Sequence, residues 1–162
     1  MKISNAFTLI ELLIVVTIIG LFSGLSLAYY NNFGEQAKLK EETRKLVDVL
    51  ELAKKKADAG DTPTSCGSGF SGYQVTVNNN SYILYYCCGG VCNNLVQTYN
   101  ITSNISIVSG TGNILFQPLS ATNITPVQIQ VKNSSLGASS NCLYINISSV
   151  GIATVDDNLH SC

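Results

Sequence analysis

Hydrophobic and polar positions follow three different patterns along this chain, and each predicts a different element. From Leu12 to Tyr30 the residues read LLIVVTIIGLFSGLSLAYY, and no charged side chain occurs between residues 12 and 34. About 20 mostly apolar residues are enough to cross a bilayer as a helix. No Pro interrupts the run, and Thr17, Ser23 and Ser26 can bond back to helix carbonyls. Gly20 and Gly24 stand at the spacing that lets helices approach closely in lipid, or simply tolerate helix in an apolar setting.

The second pattern has a helical period. Leu39, Thr43, Leu46, Leu50, Ala53 and Ala57 follow steps of three and four residues, and Val47, Val49 and Leu52 widen the face. Charges of both signs fill the other positions, with Glu41 to Lys45 and Glu51 to Lys55 in the favourable order. The two patterns predict one helix from about Phe7 to Ala59, apolar first and amphipathic second, roughly 80 Å long. Gly60, Asp61 and Pro63 end it.

The third pattern has period two. After a Cys/Gly/Ser loop (65–72), strands are predicted at 73–77, 81–87, 95–101, 104–108, 113–117, 127–131, 142–147 and 151–155. β-Branched and aromatic runs punctuated by Gly, Asn and Ser indicate antiparallel pairing, with Ser148–Gly151 as a hairpin turn. The fold class is therefore α+β: a long N-terminal helix, transmembrane then amphipathic, packed on a C-terminal antiparallel β-sheet domain.

Charge sharpens this division. Residues 1–61 of the 162 hold eight basic and eight acidic side chains, whereas residues 62–162 hold only Lys132, Asp156 and Asp157. A net charge of −1 without clustered Lys and Arg is no nucleic-acid footprint. With 46% hydrophobic residues the chain can bury a core, which argues against disorder. Three ionisable side chains and His160 leave little material for acid–base catalysis, so no enzyme, cofactor or metal is expected.

One carboxylate stands out: Glu11 lies immediately before the apolar run, where an unpaired charge is costly. The surrounding residues 5–20, NAFTLIELLIVVTIIG, resemble the type IV prepilin signature. The resemblance implies a leader, Met1 to Ala6, removed by a prepilin peptidase that also N-methylates the new first residue, Phe7. It implies that Glu11 takes part in assembly and that the apolar helix becomes a filament core. Ala6 stands where the family usually has Gly, and Ala28 where many members have Pro. The implied organisation is a leader (1–6), a transmembrane or filament-core half-helix (7–34), an amphipathic half-helix (35–60) and an extracytoplasmic β-rich domain (61–162). Phe116-Gln117-Pro118 and the 145–152 stretch are similar to the GspH/FimT-like minor pilins and pseudopilins. Partners implied are the prepilin peptidase/N-methyltransferase, other pilin or pseudopilin subunits, an inner-membrane assembly platform and the lipid bilayer. Localisation follows: a single pass of the bacterial inner membrane, N-terminus inside, then an extracytoplasmic filament of a type IV pilus or type II secretion pseudopilus. Physically, Glu11 in an apolar core needs a cation, and the amine freed at Phe7 of a neighbour supplies one only after cleavage. The alternatives are a headgroup-level Glu11 in an ordinary anchor, a tip-located adhesive or ligand-binding subunit, and a permanently anchored extracellular domain.

Six cysteines, Cys66, Cys87, Cys88, Cys92, Cys142 and Cys162, all follow the helix, on the side where disulfides persist. Cys87 and Cys88 are adjacent, so in a strand they point to opposite faces and need different partners. A Cys142–Cys162 bond would tie down the chain end, leaving Cys66 for one of Cys87, Cys88 and Cys92. The rival, a zinc site built on CC-x3-C with Cys66, lacks paired CxxC knuckles. Asn79, Asn100, Asn104, Asn123, Asn133 and Asn146 each begin N-x-S/T, which a polar strand face explains without sugar. His160 reads as exposed tail.

Overall fold

A computed structural model describes residues 8–118 and 124–162, with the side chains of 25–29 and Ser68 outside the described set. The element order is α1 (Leu9–Asp58), a 3-10 turn (Thr64–Gly69), then eight strands. These are β1 (Phe70–Val77), β2 (Ser81–Cys88), β3 (Val91–Asn100), β4 (Ile105–Ser109), β5 (Gly112–Phe116), β6 (Val127–Asn133), β7 (Cys142–Ile147) and β8 (Ala153–His160). The chain divides into two compact units between Glu35 and Gln36.

In the second unit the predicted helical face is the buried one. Leu39, Leu50, Ala53 and Ala57 are fully buried, as is Thr43, whose hydroxyl donates to the Leu39 carbonyl at 2.7 Å. Val49 joins the core, Val47 packs at its edge, and Leu52 is 40% exposed. On the solvent side Lys45 meets Glu41 at 2.8 Å and Lys55 meets Glu51 at 3.1 Å, the two spacings expected. Such pairs add a few tenths of a kcal/mol each to a helix, roughly 0.2–0.5.

The helix ends in a reciprocal cap. Gly60 adopts the left-handed conformation (φ 63°), its N–H donates to the Ala57 carbonyl, and the Asp61 N–H reaches back to Lys56. Two orphan carbonyls are thereby satisfied, which is why a Gly sits there.

The strands form two antiparallel sheets, β3-β2-β1-β5 and β4-β6-β7-β8. The sequence reading placed all eight strands but did not divide them between sheets. Period-two patterning decides which side chains face inward. Tyr73, Val75 and Val77 of β1, Ile129 and Val131 of β6, and Leu143, Ile145 and Ile147 of β7 are buried, sharing one core with the helix face. Gly72 stands at a register shift in β1 with φ 131°; a Cβ there would fall 2.1 Å from the Phe116 carbonyl oxygen. Only Gly allows β5 to approach β1 at that point.

Several boundaries differ from the reading, most of all in three strands: β1 begins at Phe70, inside the stretch expected as loop (65–72), where it already pairs with Cys88. β3 begins at Val91, because Gly89 and Gly90 turn the chain directly out of β2 with Cys88 opposite Val91. β8 begins at Ala153 and runs to His160, which is no free tail. Its ring stacks on Tyr144 at 4.5 Å and its Nε2 lies 3.0 Å from Asp156 Oδ2. The backbone N–H of Asn158 and the His160 ring hold the Asp156 carboxyl below the usual carboxylate range.

Candidate processing and assembly segment

The described part of the N-terminal unit begins with a helix cap. Thr8 precedes α1, and its Oγ1 accepts from the Glu11 N–H at 3.3 Å. A Thr followed three residues later by Glu is the capping-box spacing, in which the hydroxyl satisfies one of the first orphan amides. Glu11 therefore occupies the first turn, where the helix dipole favours a negative charge. The T-x-x-E spacing was present in the sequence and could have identified this role of Thr8. Ala6 and Phe7, the expected processing positions, lie outside the described residues.

On both sides of Glu11 in sequence, through Phe22, apolar side chains point all round the helix. Leu9, Ile10, Leu12, Leu13, Ile14, Val15, Val16, Ile18, Ile19, Leu21 and Phe22 are all exposed, from 47% to 82%. Successive residues rotate by about 100°, so eleven apolar positions in this short stretch leave no polar face. The hydroxyls within it turn inward on their own helix: Thr17 donates to the Ile14 carbonyl at 2.8 Å and Ser23 to Ile19 at 2.8 Å. The segment thus presents hydrocarbon with its polar atoms satisfied internally. Gly20 and Gly24 have nothing within 4 Å of an added Cβ, leaving two small flats on that surface. Among the described residues no helix is long and apolar enough to cross a membrane. The unbroken run of described residues in this apolar stretch reaches Gly24, and Leu9 to Gly24 rises only about 24 Å against a hydrocarbon core of about 30 Å.

In the second unit the six cysteines form three disulfides: Cys66–Cys88, Cys87–Cys92 and Cys142–Cys162. The adjacent pair has separate partners, one across the turn to β3 and one to the 3-10 turn after the helix. With every sulfur so bonded no thiolate remains to ligate zinc, and among the described residues no cluster of His, Cys, Asp and Glu could hold a metal ion. His160 faces Asp156 with no Cys or Ser nucleophile in the contact. The polar groups buried between helix and sheets are partnered. Glu42 accepts from Thr102 Oγ1 at 2.8 Å and pairs with Lys45 at 3.2 Å, fixing the β3–β4 connection to the helix.

No curated protein and no solved structure matches the chain. The prokaryotic N-terminal methylation motif matches residues 1–27, the stretch that contains Thr8, Glu11 and the apolar helix through Gly24. The chain therefore carries the type IV pilin/pseudopilin-like prepilin signature, which implies processing by a prepilin peptidase and assembly with other pilin subunits.

Proposed function

We propose that this chain is a structural subunit, a minor pilin or pseudopilin of the GspH/FimT-like kind, of a type IV pilus or type II secretion pseudopilus. The observation that carries the reading is a methylation motif running into a helix with hydrocarbon on every side. Such a surface is stable in lipid or against copies of itself and not in water. The sequence run to Tyr30 extends the apolar length past that of the described side chains, enough to hold the chain in the inner membrane before assembly. Cleavage after Ala6 then frees the amine of Phe7, which the same enzyme methylates. The freed cation pairs with Glu11 of a neighbouring subunit, so removal of the leader licenses assembly and sets the register between copies. The sparsely charged β-rich head, 61–162, faces the outside, where its three disulfides persist.

Intact-mass spectrometry of membrane and sheared-filament fractions tests this. The expected species lacks Met1–Ala6 and carries one extra methyl group in both fractions. An unprocessed chain confined to the membrane would overturn the reading. Glu11→Ala should leave the mass change intact while depleting the sheared fraction at least tenfold; normal entry into filaments would remove Glu11 from the assembly step.

A further inference from the structure

The apolar stretch of α1 has two ends, and polar chemistry bounds both. At the start stands Glu11, exposed in the first turn. At the far end the apolar run stops at Tyr30 and gives way to Asn31 and Asn32. Both asparagines are exposed, and an amide side chain enters hydrocarbon only at a cost unless it finds a hydrogen-bond partner. The next charges along the chain are Glu35, Lys38 and Lys40.

Two rings stand at this far end. Tyr30 is 75% exposed and Phe33 65% exposed. Three positions apart on a helix, they lie on one side of it, with Phe33 nearly a turn further out. A tyrosine ring is apolar along its body and polar at its tip, a form that concentrates where lipid meets water. Phe fills the apolar side of helices held in the same layer. Their distance from Glu11 fits a bilayer. Tyr30 lies 19 positions beyond Glu11 and Phe33 lies 22. At 1.5 Å per residue these are about 28 and 33 Å, on either side of a hydrocarbon thickness of about 30 Å. Leu21, about 15 Å from Glu11, then falls at the midplane.

We infer that Tyr30 and Phe33 form an interfacial anchor, seated in the outer headgroup layer of the membrane, that fixes the depth of the helix before assembly. The inference rests on the proposal that the N-terminal run is held in the membrane at that stage. The position of the rings selects lipid as the partner. A bilayer requires one hydrocarbon thickness between the Glu11 carboxylate and the rings, whereas a protein surface sets no such length. Sliding in either direction is opposed. An inward slide carries Asn31 and Asn32 into hydrocarbon. An outward slide lifts both rings into water and draws Glu11 into hydrocarbon. Extraction into a filament is an outward slide, so it breaks the anchor first, and Glu11 then needs the cation that a processed neighbour supplies.

The chain contains no Trp, so a single introduced indole reports its own depth. Leu21→Trp, Tyr30→Trp and Phe33→Trp are each made in the full chain and reconstituted in phosphatidylcholine vesicles. The acyl chains carry bromine either near the headgroup or near the chain end. Deep bromines should quench the Leu21→Trp emission at least twofold more than shallow ones, and the order should reverse for Tyr30→Trp and Phe33→Trp. In a second arm, Tyr30→Ala and Phe33→Ala are added to the Leu21→Trp chain. Alanine is a better helix former than either ring, so loss of the helix is not at issue. The deep-to-shallow ratio of the Leu21 reporter should fall at least twofold as the helix loses its fixed depth. An unchanged ratio overturns the inference, because the rings then lie at the interface without holding the helix there. So does deeper quenching at either ring position, or quenching at both by aqueous iodide and not by bromine. A Leu21 reporter that neither bromine reaches overturns the membrane reading together with the anchor. A deep Leu21 reporter beside rings in water overturns the anchor alone, so the two failures are distinguishable.

Discussion

Leu50 and Leu52 lie two positions apart on α1 and differ in what their removal costs. Leu50 is fully buried in the core that the helix shares with the sheets, so Leu50→Ala should cost about 2–5 kcal/mol, the transfer term plus a cavity. Leu52 is 40% exposed, and Leu52→Ala should stay within about 0.5 kcal/mol. Urea unfolding of the two variants checks the contrast, and equal losses would place the helix face wrongly. Tyr82 makes a second prediction at this scale. Burial first, and the Glu42 carboxylate next, push its phenol up to about 12 from an ordinary value of 10. The folded state therefore keeps a proton that the unfolded chain has lost between those values. Stability is intact below pH 10 and falls as pH rises from 10 through 12. The melting temperature should drop over that range in the native protein and less steeply in Tyr82→Phe.

The elements were legible to different degrees, for physical reasons. Six apolar or small positions at helical spacing marked the buried face of α1, because one contiguous stripe is all a docked helix needs. The helix end was readable as well, since the Gly60 cap is a local device. Strand positions followed from alternation, but the split into two sheets did not. Pairing β1 with β5, or β4 with β6, depends on contacts far apart in sequence that alternation does not encode. β8 was misjudged because Asp156, Asp157 and His160 look like a solvated tail. Their contacts with Tyr144 and Arg44 come from the fold and not from the local pattern. In the assembly segment the Glu11 position and apolar run were visible at once, whereas the cap by Thr8 was overlooked although its spacing was in plain view. The same last strand supports a prediction. Replacing both Cys142 and Cys162 by Ser should lower stability by about 2–4 kcal/mol. Faster amide exchange should be confined largely to residues 153–162, and a uniform increase across both sheets would show that β8 is not a separable unit.

Across the whole molecule, the bonds that close the head also decide how it responds to being pulled. A chain held by its helix and loaded at its outer end carries tension through its backbone only where no covalent shortcut exists. The Cys66–Cys88 bond spans 22 residues and takes the load past all of β1 and nearly all of β2. The Cys142–Cys162 bond spans 20 and does the same for β7 and β8. At about 3.5 Å per residue the two bonds withhold roughly 77 and 70 Å of contour. Single-molecule stretching should therefore release two fewer steps of those sizes in the oxidised protein than after reduction. What yields first under force is the stretch between the two bonds, β3 through β6, so the head behaves as two inextensible ends joined by a spring.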